Sequence, residues 1–135
     1  MKVLLDTHAF LWFVNDDPQL SLAAKTLMES EVDLLLSVAS LWEISIKVGT
    51  GKLDLPKLFD VFIPEQLELN EIEILQIELK HLTPLTSLPL HHRDPFVGVA
   101  SPTENRLLIS QSLVEELTIL SADKIFDRYA MNRSW

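Results

Sequence analysis

Four acidic residues stand where a hydrolytic centre could be assembled: Asp6, Glu43, Asp94 and Asp123. Asp6 and Asp123 follow expected strands, Glu43 lies in the helix after the second strand, and Asp94 sits in a loop just before a helix. Carboxylates brought together repel, and each raises the pKa of its neighbours. A bound cation relieves that conflict. The chain has no cysteine, so its ligands would be oxygens, which favour Mg²⁺ or Mn²⁺. Metal ions held in this way activate water and stabilise the leaving oxygen of a phosphodiester. The chemistry in question is therefore metal-assisted phosphodiester hydrolysis.

Each residue also has a plainer role. Asp6 precedes Thr7 and His8 and suits a helix N-cap. Glu43 and Lys47 are four apart, the spacing of a surface helix pair that contributes about 0.2–0.5 kcal/mol. Asp123 can cap a turn of its own, and Asp94 precedes a proline in a turn context. The adjacent His91 and His92 suit two ligands on one metal poorly and read as loop residues near the site. The catalytic reading rests on convergence, and convergence depends on the fold.

The expected elements supply it. Lys2 to Leu5 reads as a buried first strand, and Thr7 to Val14 as a short helix. Asn15 to Pro18 is a turn, and Ser21 can cap a helix through Glu29. Asp33 to Ser37 reads as a second strand. Ser37 then caps a helix from Val38 to Val48, stopped by Gly49 and Gly51. Pro56 is expected to start a short helix that breaks at Pro64. Asn70 to Leu75 reads as a third strand near an edge, and Ile77 to His81 as a helical turn or two. Leu85 to Phe96 is loop-like. Ser101-Pro102-Thr103-Glu104 has the form of a capping box that opens a helix through Glu116. Thr118 to Leu120 is a fourth strand, followed by a helical turn from Asp123 to Tyr129.

Strands alternating with helices imply an α/β fold with a mostly parallel sheet. Such sheets bind ligands beyond the carboxyl ends of their strands, where all four acids would meet. A length of 135 residues predicts one domain, 1–135, with a core that needs no staples. The absence of cysteine excludes disulfides, Cys-ligated zinc and iron–sulfur clusters, and suits a reducing cytoplasm. The longest apolar run, Ala9 to Val14, is far short of the roughly 18 residues of a spanning helix, so no membrane partner is expected. Asp6 interrupts the N-terminal apolar stretch too early for a signal peptide. Eleven basic against twenty acidic residues give a net charge of −9. Such a chain does not grip nucleic acid through many phosphate contacts. It can still process nucleic acid if metal ions supply the positive charge, and its field attracts a basic partner.

Several motifs resemble a known family, and together they cover nearly the whole chain. They are Leu4-Leu5-Asp6-Thr7-His8-Ala9-Phe10-Leu11-Trp12, Ser40-Leu41-Trp42-Glu43-Ile44-Ser45-Ile46-Lys47 and His92-Arg93-Asp94-Pro95-Phe96. Arg106-Leu107-Leu108-Ile109-Ser110-Gln111 and Leu120-Ser121-Ala122-Asp123 complete the set. The resemblance is to the PIN domain, in particular to the VapC-like toxins of type II toxin–antitoxin systems. It implies a three-layer α/β/α fold with a central, mostly parallel sheet. It implies a Mg²⁺- or Mn²⁺-dependent endoribonuclease acting on an RNA substrate in the cytoplasm. A small cognate antitoxin protein is implied as partner, often inserting a segment near the active site. Asp6, Glu43 and Asp123 match the family's acidic positions, and Lys47 and Lys52 lie near its Glu-bearing helix.

One departure stands out. Relatives run His-Arg-Asp-Pro-Phe-Asp straight into Arg-Leu-Leu-Ile. Here Val97 to Asn105 intervenes, and Asn105 occupies the aspartate's place before Arg106. Asp94 remains, and Glu104 is one residue from the vacated position. The metal-site candidates are therefore Asp6, Glu43, Asp94 and Asp123, with Glu104 and Asn105 behind them.

Two further readings stay open beside the ribonuclease toxin. One is an impaired PIN-fold module that binds its antitoxin but cleaves RNA poorly. The other is a phosphoacceptor signalling domain. That one needs an acidic pair after the first strand, where Asp6 stands alone. Phe10, Trp12, Phe13 and Trp42 exceed what a small core needs, so some of them are expected to form a partner surface and at least half to be core. Self-association into a homodimer is also left open.

Overall fold

The computed structural model describes residues 1–87 and 102–135, with side chains in the second stretch from Asn105 onward. The five strands are β1 (Lys2–Leu5), β2 (Asp33–Ser37), β3 (Ile72–Leu75), β4 (Thr118–Leu120) and β5 (Asn132–Ser134). The α-helices are α1 (Thr7–Val14), α2 (Leu22–Met28), α3 (Val38–Gly49), α4 (Phe59–Leu69), α5 (Leu79–Leu82) and α6 (Pro102–Glu115). Short 3₁₀ turns occupy Thr83–Thr86 and Lys124–Arg128.

The strands form one sheet in the order β3-β2-β1-β4-β5, and every pairing is parallel. The apolar runs of β1, β2 and β4 suit such a sheet, whose middle strands are buried on both faces. Side-chain alternation divides them. Val3, Leu5, Leu34, Leu36 and Leu120 face a core that includes Phe10, Met28, Ile44, Phe62 and Leu67. Leu4, Leu35 and Ile119 face the opposite core with Leu108, Ile109 and Phe126. The result is the three-layer α/β/α arrangement.

The strand order sets the place of a ligand site. From β1 the chain moves outward through β2 to β3, then crosses back to β4 on the other side of β1. The crevice beyond the carboxyl ends of β1 and β4 is therefore the topological switch point.

Most caps are local. Ser21 Oγ accepts from the Ala24 N–H at 3.0 Å, and Ser37 Oγ accepts from the Ala39 N–H at 3.1 Å. Glu116 takes left-handed backbone, φ 54°, and the Leu117 N–H returns to the Ser112 carbonyl at 2.9 Å, turning α6 into β4.

Two expectations are corrected. The expected helix from Pro56 to a break at Pro64 is instead α4, which starts at Phe59 and carries Pro64 inside it. An interior proline costs about 3 kcal/mol. Phe62, Ile63 and Leu67 are buried on the same helix, and each such burial returns roughly 1.5–3 kcal/mol. Packing outweighs the missing hydrogen bond. The second correction is β5, an edge strand of Asn-Arg-Ser that carries no hydrophobic signal. Arg133 anchors it by pairing with Asp127 at 2.9 and 3.0 Å and donating to the Ser121 carbonyl at 3.0 Å.

The third strand lies at the sheet edge as expected. α6 opens at Pro102, but the proposed Ser101–Glu104 capping box involves groups outside the described residues. His91, His92 and Asp94 also lie outside them.

Candidate active site

Leu5 is in register with Leu36 on one side and Leu120 on the other, so the next row of the sheet edge is Asp6, Ser37 and Ser121. The Asp6 N–H still donates to the Leu120 carbonyl at 3.2 Å, which fixes Asp6 at the strand end. Its carboxylate then caps α1, with Oδ1 accepting from the Ala9 N–H at 2.7 Å. Oδ2 accepts from the Ser121 hydroxyl. One side chain thus caps the helix and ties the ends of β1 and β4 together.

Asp123 leaves β4 in the same way. It caps the following 3₁₀ turn, accepting from the Ile125 N–H at 3.0 Å, and its own N–H donates to Ser121 Oγ at 3.0 Å. Ser121 therefore bridges the two aspartates. Burial pushes the Asp6 carboxyl above the ordinary aspartate range, and the Asp123 charge pushes the same way. The Ser121 and Ala9 hydrogen bonds and nearby His8 oppose that shift.

Asp6 and Asp123 line one cleft of about 450 Å³ with Thr7, His8, Trp12, Asn105, Leu108 and Ala122. Asn105, in the first turn of α6, is buried there. An amide thus stands in a wall that the two aspartates share.

Glu43 is placed differently. It is buried on α3, and among the described residues it is not part of the cleft lining. Lys47 Nζ forms an ion pair with its Oε2 at 2.8 Å. Ser40 Oγ, one turn earlier on α3, is buried without a partner. The Lys47 ammonium meets the Glu43 charge, and the Ser40 hydroxyl marks a place where an ordered water fits. The side chain of Glu104 lies outside the described residues, as does Asp94.

Gln111 holds the edge together. Ser37 Oγ donates to its Oε1 at 2.6 Å, and its Nε2 donates to the Gln76 carbonyl at 3.3 Å. One fully buried amide thus joins the ends of β2 and β3 to α6. The sequence hinted at Ser121 only as a hydroxyl two residues before Asp123. Gln111 showed only as a polar residue amid apolar neighbours.

A second group with metal-ligating side chains lies elsewhere. Glu78, His81 and Glu115 bring their ligand atoms within 4.8 Å of one another. Asn105 and Glu115 are ten residues apart on α6, about 15 Å at 1.5 Å per residue. Both ring nitrogens of His81 are engaged. Nδ1 accepts from the Glu78 N–H at 3.0 Å, and Nε2 meets Glu115 Oε1 at 2.8 Å. A neutral ring with its proton on Nε2 satisfies both, so these contacts tie α5 to α6.

The sequence pattern of the PIN domain matches residues 3–132. A comparison with curated proteins found no match. Among solved structures, the fold is similar to VapBC2 from Rickettsia felis bound to a promoter DNA fragment, with a TM-score of 0.71 and 17% identity over 99% of this chain and 98% of that one. It is also similar to VapBC-1 from nontypeable Haemophilus influenzae, with a TM-score of 0.64 and 16% identity over 99% and 97% of the two chains. FitAcB from Neisseria gonorrhoeae gives a TM-score of 0.63 and 19% identity over 97% and 95%. With residues 3–132 matched, the chain belongs to the PIN domain family.

Proposed function

We propose that this chain is a metal-dependent endoribonuclease, the toxin of a type II toxin–antitoxin system. The observation that carries the reading is the cleft at the switch point, lined by Asp6 and Asp123 from adjacent parallel strands. Mg²⁺ or Mn²⁺ would be held by Asp6, Glu43 and Asp123, with Asp94 as a further ligand and Glu104 or Asn105 in place of the family aspartate. Glu43 supports this as a carboxylate buried on α3 whose charge is met by the Lys47 ammonium at 2.8 Å. The metal supplies water activation and charge neutralisation at the phosphate.

The chain's own residues prepare that site. The Ala9 N–H and the Ser121 hydroxyl each take one lone pair of Asp6 and fix the carboxylate's orientation. Each oxygen keeps a second lone pair for a cation. Burial of Asp6 excludes competing water and strengthens its field. The cytoplasm is the matching compartment, with RNA as the substrate. Among the described residues no helix is long and apolar enough to cross a membrane.

The partner is a small antitoxin. Phe10 is fully buried core, and Trp12 and Phe13 pack at the core's border. Trp42 and Ile46 on α3 are 59% and 47% exposed. That pair is the contact surface we assign to the antitoxin. A homodimer is tested by the size of the partner-free protein in solution.

A second reading has its own observation. Asn105 lines the cleft where a third carboxylate is expected, which favours weak metal binding and a module that binds its antitoxin but cleaves RNA poorly. One experiment separates the two. Partner-free protein is incubated with defined RNAs and Mn²⁺ or Mg²⁺, with Asp6→Asn as control. Cleavage that requires metal and Asp6 supports the nuclease. Equal traces of cleavage in both proteins reject it.

A further inference from the structure

The cleft that holds the two aspartates has a second, aromatic wall. His8 and Trp12 are four residues apart on α1, so they share a helix face. Both line the cleft, while Ala9 and Phe10 between them turn into the core. Their ring centroids are 5.5 Å apart at an interplanar angle of 39°. Trp135, just after β5, meets Trp12 edge-on at 5.7 Å and 61°. Trp12 and Trp135 also pack against the core. The half-buried indole is thus held by His8, Trp135 and the core while it lines the cleft. Leu108 and Ala122 complete the apolar lining.

A nucleotide has the same two ends. One is an anionic phosphate, and the other is a flat base that stacks on aromatic rings with little regard to sequence. Asp6 and Trp12 are six residues apart, or about 9 Å along a helix axis, within the span of a single nucleotide and its neighbour. The charge balance of the chain makes stacking more valuable. Eleven basic against twenty acidic residues leave little phosphate-based affinity, so a base-binding surface must supply part of it.

We infer that Trp12 and His8, braced by Trp135, form a stacking subsite for one unpaired nucleobase beside the scissile phosphate. This rests on the nuclease reading for the position of the phosphate. A paired base is covered on both faces by its neighbours, so the substrate segment must be single-stranded or a loop. A purine, with the larger face, stacks more strongly than a pyrimidine.

The test uses the partner-free full chain and short RNAs carrying one 2-aminopurine at successive positions. Fluorescence is read on mixing, in Mn²⁺ before turnover and again in EDTA. Wild type and Trp12→Phe should quench the probe at one position. Trp12→Leu keeps an apolar side chain against the core and should lose the quench. Its affinity should fall about tenfold, the size of a lost base–aromatic stack. A duplex carrying the same probe should not be quenched. Should Trp12→Leu unfold, His8→Leu carries the test and should weaken binding several-fold. Quenching and KM that stay at wild-type values in the folded variants overturn the subsite. So does a wild type that leaves every probe unquenched. Quenching without cleavage in either metal leaves the subsite standing and rejects the nuclease reading. Cleavage with unchanged KM in the variants does the reverse.

Discussion

The Ser121 hydroxyl donates to Asp6 Oδ2 while its oxygen accepts from the Asp123 N–H, so one buried side chain sets the relation between the carboxyl ends of β1 and β4. Ser121→Ala leaves Asp6 one hydrogen bond short in a buried place, which costs about 1–3 kcal/mol. We expect a lower melting temperature and weaker Mn²⁺ binding by calorimetry. Ser121→Thr keeps the hydroxyl and should recover most of both. Equal metal affinity in Ser121→Ala would remove the serine from the site.

Asp6→Asn separates charge from shape. Asparagine caps a helix as well as aspartate does. Burial makes the Asp6 charge costly, and the variant removes that charge. Without metal it should melt at or above the wild-type temperature. Adding Mn²⁺ should raise the melting point of the wild type alone, because a ligand stabilises only the state that binds it. A variant that gains as much from metal as the wild type refutes the assignment.

Asn105→Asp should act with opposite signs in the two conditions. A buried carboxylate added beside Asp6 and Asp123 adds repulsion when no cation is present. The metal-free protein should therefore melt a few degrees lower. Its Mn²⁺ affinity should rise about tenfold or more, and RNA cleavage with it. Unchanged affinity would mean that Asp94 or Glu104 already completes the ligand set.

The α5–α6 contact predicts an acid limb in stability. Hydrogen bonds from His81 and then Lys80 hold the Glu115 carboxyl below the usual glutamate range. A depressed carboxylate adds stability that is full above its unfolded value and is lost as pH falls through its folded one. Arg133 holds Asp127 low in the same sense. Glu115→Gln should flatten part of the decline in denaturant midpoint in acid, and the double variant with Asp127→Asn should flatten more. An unaltered acid limb in the double variant would contradict these pairings.

Trp42→Glu changes an exposed position, 59% accessible, and should leave the melting temperature near that of the wild type. Co-expressed with the neighbouring gene, the wild type should pull down a small protein and the variant should not. Retention of the partner by Trp42→Glu would move the contact away from α3.

Much of this arrangement was legible in the sequence, and the reason is locality. β1 and α1 follow from an apolar run stopped by a capping aspartate, and α3 from Ser37 placed directly before it. The positions of Asp6 and Asp123 at strand ends follow from the same signals. What could not be read depends on distant partners. Pro64 is tolerated because of burial against the sheet, and β5 exists because Arg133 reaches Asp127 and Ser121. Gln111 joins three elements that no short window contains. Glu43 was placed on the correct helix, but its absence from the cleft lining among the described residues depends on how α3 packs.

The strand order has a consequence for synthesis. Asp6 emerges from the ribosome 115 residues before Ser121. β1, the central strand, must wait for β4 before its second edge is covered. Parallel pairings over such separations form slowly, and a domain generally folds as a unit. A half-made chain therefore carries the first aspartate with neither its serine clasp nor its opposing acid. The proposed metal site can therefore be assembled only once β4 has left the ribosome, which leaves an interval in which the proposed partner can meet the newborn chain first.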